Sequence, residues 1–311
     1  HFLPHHAPLP PRRKPVLLII KLARPSSPLH DLGLNFISLR KASAVNKNFI
    51  RIGNQTCCRV SPDVTFEFAV KNGFDTFEWF SDPGPFGWNE NDFDAGKRLA
   101  IKNIGLEKNI RFSVHAPWTA DPITEEGMLA ILRSIEFAGD IGAALVNIHL
   151  FDYPPEIYVA AVMKLAGPAV RAGVRISCEN TPATSPESIN AVFSLLEKNA
   201  AGSDRFGLCL DMGHANIFPE TRENYPEYVE RLAPCVPIVH WHAHCNHGDA
   251  DSHLPLFHAF RQGDEAKLRH LIKILKMRNF SGSVVMEQWP DPPDILVRTR
   301  QHLLKLWETA F

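Results

Sequence analysis

At 311 residues, with 45% apolar and 22% charged side chains, the chain is long enough for one large domain around a sizeable core. A net charge of −1 leaves no basic excess of the kind that holds a duplex, so nucleic acid is not an expected partner. Six cysteines without a CxxC pair or regular spacing exclude a disulfide scaffold and point to a reducing, cytoplasmic setting.

Residues 1–46 differ from the rest and are read as an irregular extension outside the fold. They begin with the Pro- and His-rich HFLPHHAPLPPRRKP. The apolar run PVLLIIKLA (15–23) is shorter than the roughly twenty residues a membrane span needs, so no membrane association is expected. No small-residue cleavage site follows it.

From residue 48 short β-branched or aromatic runs alternate with longer amphipathic stretches. The predicted strands are NFIRIG (48–53), TFEWF (76–80), IRFSVHA (110–116), ALVNIHL (144–150), VRISCEN (174–180), RFGLCLD (205–211), PIVHWHA (237–243) and SVVMEQW (283–289). Between them lie helical patterns such as 62–73, 125–142, 155–173 and 186–202, several closing on Asn-Gly or Gly as helix C-termini do. This alternation implies a parallel sheet with right-handed crossovers. Eight units over 47–311 match a single (β/α)8 TIM barrel, and the Gly-rich phosphate turn of an open doubly wound sheet is missing.

Strands of such a barrel are buried on both faces, so ionisable residues within them are costly unless paired or metal-bound. Going round, the C-terminal ends present Glu78, His115, His149, Glu179, Asp211 with His214, His240 with His242, and Glu287. Any one of these is ordinarily a satisfied core histidine or a helix cap. Seven of eight strands ending this way imply a site, because barrel active sites are assembled from C-terminal strand ends. Converging carboxylates and imidazoles suit a divalent metal, since three clustered negative charges need a cation to stay ionised. Trp79, Trp88, Trp118, Trp241 and Trp289 fall at or beyond strand ends and offer apolar faces for a ring-shaped ligand. The Gly- and Pro-rich 81–94 reads as a lid.

The segments FSVHAPW, VNIHLF, SCENTP, LCLDMGHAN, HWHAHCN, DSHLPL and VMEQW resemble the xylose-isomerase-like barrel superfamily. That superfamily holds sugar isomerases and epimerases together with repair enzymes of the endonuclease IV type. The resemblance implies a metal held by Glu179, Asp211, His242 and Glu287, with Mn²⁺, Co²⁺ or Mg²⁺ favoured. Glu179 and Glu287 would be the acid–base pair at the carbon beside a sugar carbonyl, with an enediolate between two proton transfers. His214 would contact a substrate oxygen. Glu78, Trp79, His115, Trp118 and Trp289 are expected to line the substrate site.

His115, His149, His214, Asp251 and His253 resemble the additional ligands of a three-zinc cluster, which is the basis of an alternative: a zinc phosphodiesterase. Loops that are not basic, and Leu150-Phe151-Asp152 after His149 where that pattern carries a glycine, argue against it. A dehydratase or lyase sharing the first proton abstraction stays open, as does a non-enzymatic metal-binding barrel. One departure from the sugar enzymes is Phe257-His258-Ala259-Phe260 after DSHLPL, where a Gly-x-Gly turn is usual. The expected partner is a sugar-like small molecule, and a homo-oligomer is compatible with the sequence.

Overall fold

A computed structural model describes residues 50–82, 86–199 and 202–310. The expected extension, 1–46, lies outside the described residues. Eight parallel strands close into a barrel in sequence order: β1 (Arg51–Gln55), β2 (Thr76–Phe80), β3 (Arg111–His115), β4 (Leu145–His149), β5 (Arg175–Glu179), β6 (Phe206–Asp211), β7 (Ile238–His242) and β8 (Ser283–Met286). All eight predicted runs form strands; the first sits about two residues further along than its sequence pattern suggests.

Each strand sends alternate side chains outward against the helices, where Ile52, Phe77, Val114, Val146, Ile176, Leu208, Trp241 and Val284 are buried. Helices return the chain between strands. Glu125–Ile141 is capped by the Thr124 hydroxyl, which accepts from Gly127 N, and it ends on Gly142 at φ 71. The pattern predicted at 155–173 as one helix is two, Pro155–Val162 and Ala166–Ala172, joined by a tighter turn over Met163–Leu165. Pro168 explains the break: its ring cannot donate to Lys164 O and crowds that carbonyl.

Inward side chains stack in levels of four from alternate strands, because the shear of such a barrel shifts the register by two residues for every two strands. Counting from the C-terminal end, the first level holds Phe80, His149, Asp211 and the position of Glu287, just past β8. The second holds Gln55, His115, Glu179 and His242. Below them lie Glu78, Asn147, Cys209 and Val285, then Gly53, Ser113, Ser177 and His240, then Thr76, Leu145, Gly207 and Ser283. Arg51, Arg111 and Arg175 form the floor with Val239. A bulge between Leu208 and Cys209 makes Val239 an extra residue on β7, and its methyls fill the space beside Gly207, where a Cβ would meet them at 2.5 Å.

All six cysteines are free thiols. Among the described residues no helix is long and apolar enough to cross a membrane.

Candidate metal centre and active site

Two adjoining levels bring Glu179, Asp211, His242 and Glu287 together, with one ligand atom from each within 4.8 Å of the others. His242 Nδ1 lies 3.0 Å from Glu287 Oε1, 3.2 Å from Glu179 Oε2 and 3.9 Å from Asp211 Oδ2. All four side chains are buried, and neither His242 Nδ1 nor Glu287 Oε2 has a hydrogen-bond partner. A fully buried imidazole nitrogen facing three carboxylates, with nothing bonded to it, is a donor set that could hold a divalent cation. Burial, then the charges of Asp211 and Glu179, push the Glu287 carboxyl well above the ordinary carboxylate range. Glu179 is held well below it: burial opposes ionisation, but His242 and His149 outweigh that cost.

Local structure explains why each group points where it does. Asp211 ends β6 and caps the helix Met212–Ile217, accepting from His214 N at 2.6 Å, so one residue serves both strand end and helix start. Asn180 holds the same strand end by donating to Asp211 O and accepting from Asp211 N, both at 2.9 Å. Glu179 accepts from Asn147 Nδ2, and Ser177 Oγ donates to Asn147 Oδ1 at 2.6 Å. Gly213 is required because a Cβ there would sit 1.9 Å from His244 Cε1.

Further histidines ring this centre. His115 Nε2 lies 3.2 Å from Glu179 Oε2, and His149 Nε2 lies 3.7 Å from Glu179 Oε1. His214 Nε2 and His253 Nε2 share Asp251 Oδ2 at 3.1 and 3.0 Å. Three of these rings donate Nδ1–H to a backbone carbonyl, namely His115 to Ala116 O (2.6 Å), His214 to Asn180 O (2.8 Å) and His253 to Glu287 O (2.9 Å). That leaves each Nε2 aimed at a carboxylate. Burial opposes the charge on His214, yet Asp211 and then Asp251 raise it to about 10; burial lowers His149 to about 4. His253 takes φ 45, a conformation uncommon for a residue with a Cβ, which turns its ring onto His244 at 4.1 Å.

Two expected substrate contacts are placed elsewhere. Trp79 is fully buried on the outer face of β2, between Phe66, Phe77, Trp88 and Phe93, because its strand parity is opposite to that of Glu78. Trp88 and Trp241 are buried too, and Trp88 lines a cavity of about 380 Å³ with Ser81, Pro117 and Thr119. Glu78 points inward but lies one level beneath the acid cluster, fully buried. Held well below the usual carboxylate range by His242 and His240 against the burial cost, it accepts from His240 Nε2 at 2.8 Å. Its other oxygen lies 2.9 Å from His242 Nε2, at an angle short of hydrogen-bond geometry. The expected lid is anchored over its second half: Trp88 Nε1 donates to Thr56 Oγ1 at 3.3 Å, and Ser134 Oγ donates to buried Glu90 at 2.5 Å.

Trp118 is exposed on the loop after β3, and Trp289 is half-buried against Phe68. Trp289 lines a cavity of about 400 Å³ with Gln55, Phe80, His253, Glu287 and Gln288, which opens the acid cluster to the outside. Sequence patterning does not single out His244, Asn147, Ser177, Gln55 and Gln288. Parity of 240, 242 and 244 was the one signal for His244, and it now lies 3.0 Å from Asp211 Oδ2. In place of the Gly-x-Gly turn, Phe257 itself takes φ 62 and stacks on His302 at 3.8 Å.

A model of the xylose isomerase-like TIM barrel family matches residues 66–306. The chain belongs to this family. It is 27% identical over 205 residues to the uncharacterized protein MJ1311 of Methanocaldococcus jannaschii, covering 54% of this chain and 67% of that protein. The crystal structure of a D-tagatose 3-epimerase-like protein matches with a TM-score of 0.67 at 20% identity, over 84% of this chain and 98% of that one. The IOLI protein, solved with a bound zinc atom, matches with a TM-score of 0.61 at 14% identity, over 84% and 99%. At these identities the two structures share the fold with this chain.

Proposed function

We propose that this barrel is a divalent-metal-dependent sugar isomerase or epimerase that moves a proton at the carbon beside a carbonyl. The observation that carries this reading is the buried set Glu179, Asp211, His242 and Glu287, whose imidazole nitrogen has no partner of its own. A cation held there, Mn²⁺, Co²⁺ or Mg²⁺ by the oxygen-rich donors, would polarise the carbonyl and orient a neighbouring hydroxyl. Of the chain's own groups, Glu179 and Glu287 reach the same small volume from β5 and the end of β8. One accepts the proton while the other returns it. Charged His214 would donate Nε2–H to a substrate oxygen in exchange for Asp251 Oδ2, while its Nδ1 stays on Asn180 O. Trp289 and Phe80 give the adjoining cavity an apolar wall for a ring face, and Gln55 and Gln288 supply neutral donors and acceptors.

The test is solvent-deuterium incorporation into a panel of unphosphorylated ketoses by the Mn²⁺-loaded full chain, followed by proton NMR. Exchange at a carbon next to the carbonyl is expected, and its loss in Glu287→Gln with unchanged fold and metal content. Exchange that persists in the variant removes Glu287 from the acid–base role. No exchange with any ketose overturns the isomerase reading.

A second reading, a zinc phosphodiesterase with several metals, is favoured by one observation. His115, His149 and Glu179 form a further ligand group, His244, His253 and Glu287 another, and three of the rings show the carbonyl-bound Nδ1 of metal-ligating histidines. Elemental analysis separates the two: about one metal per chain supports the four-ligand site, about three zinc ions the alternative.

A further inference from the structure

The end of the barrel away from the acid cluster is built in an unusual way. Floor positions of such barrels are ordinarily filled by bulky aliphatic side chains. Here β1, β3 and β5 contribute Arg51, Arg111 and Arg175 to one level, and β7 contributes an aliphatic residue there at its bulge, Val239. Between Arg111 and Arg175 lies a cavity of about 90 Å³, also lined by Ser113, His240 and Ser283. That is the liquid share of about three waters, or room for one tetrahedral ion.

The charges there are poorly answered by the chain itself. Arg51 is engaged, donating to Asp75 O at 3.1 Å and Asn109 O at 2.9 Å. Arg175 Nη2 has a long contact to Phe206 O at 3.4 Å, and its Nε is buried without a partner. Ser113 Oγ, on the same cavity wall, is also buried and unpartnered. Among the described residues neither Arg111 nor Arg175 forms an ion pair with a carboxylate. Asp75 is taken by Arg300 at 2.5 Å, and Asp204, the acid acting on Arg175, is 80% exposed. Burial, then the charges of Arg51 and Arg175, hold the Arg111 guanidinium below its ordinary range. Orphaned donors and mutually repelling guanidinium groups around an ion-sized hollow are each costly alone, and a single anion relieves both.

We propose that the barrel floor binds one small tetrahedral oxyanion, inorganic phosphate or sulfate, between Arg111 and Arg175, with Ser113 Oγ as a neutral donor. Arg111 is exposed at the cavity mouth and gives the ion its way in. His240 forms the inner wall and bonds Glu78 on its other side, so the floor site and the acid cluster occupy two ends of one polar column. The site does not depend on the reading of the opposite end.

The test is a titration of the full chain with inorganic phosphate, then with sulfate, followed by thermal denaturation and phosphorus NMR line width, with and without EDTA. Expected is saturable binding of about one ion per chain, unaffected by EDTA and competed by sulfate. Arg111→Gln and Arg175→Gln should each weaken it about tenfold or more, as loss of one charge-assisted contact does. Arg111→Lys keeps the charge but not the fork, serves where the Gln variants fail to fold, and should still weaken binding severalfold. Binding that EDTA abolishes, or that survives both Gln substitutions, overturns the proposal. So does equal competition by glucose 6-phosphate, which is too large for the cavity.

Discussion

Replacing Glu78 by Gln is the sharpest perturbation of the acid cluster that replaces none of its four proposed ligands. Glu78 is fully buried, with one oxygen 2.8 Å from His240 Nε2 and the other 2.9 Å from His242 Nε2. Both imidazoles can present N–H to a carboxylate. A carboxamide offers one oxygen and one NH₂, so one histidine then meets a donor and must change tautomer. If His242 moves its proton to Nδ1, the nitrogen 3.0 Å from Glu287 loses the lone pair a metal needs. Loss of such a supporting carboxylate costs about 10- to 100-fold in metal affinity, or about 1.4 to 2.8 kcal/mol. The assay is competitive titration of Mn²⁺ against a chelating dye, with nitrogen NMR of the His242 ring in the Mg²⁺-loaded chain to read its tautomer. Affinity within twofold of the parent chain in a folded Glu78→Gln protein would refute the argument, as would an unchanged His242 tautomer.

Three other outcomes are expected. Gly213→Ala drives a Cβ to 1.9 Å from the His244 ring, so stability should fall by about 1–3 kcal/mol in a thermal or urea melt; an unchanged midpoint would mean that His244 moves freely. Metal uptake should release protons near neutral pH, because the Glu287 carboxyl is held well above its usual range and His242 well above 6.5 in the metal-free chain. The sign follows: a group that keeps its proton must lose it to bind, so affinity rises with pH. Calorimetry in buffers of different ionisation heat measures the released protons, and none released refutes it. Trp79→Ala should cost about 3–5 kcal/mol of stability while leaving Mn²⁺ affinity unchanged, since the ring is buried among Phe66, Trp88 and Phe93 away from the site; weakened affinity in a folded variant would return Trp79 to the pocket.

Strand and helix boundaries were largely legible in the sequence because they rest on local periodicity. The Asn72-Gly73, Gly142 and Gly173 stops lie where left-handed residues end helices. That Glu179, Asp211, His242 and Glu287 gather at one mouth was legible because strand ends of a parallel barrel share it, although His242 stands out from His240 only through the family motif. Pro168 is visible as well, but the strong apolar pattern that runs across 155–173 masks the break it makes in the helix.

What the sequence could not determine is which side chains share a level. Period-two alternation places Glu78 and Trp79 on opposite faces but does not say which face is inside. Closure of the barrel decides that, sending Trp79 into the outer aromatic layer and Glu78 onto two histidines 162 and 164 positions away, His240 and His242. The same closure aligns Arg51, Arg111 and Arg175, which are unremarkable apart and costly together. Shear, a property of the closed sheet, converts three separate strand starts into one charged floor.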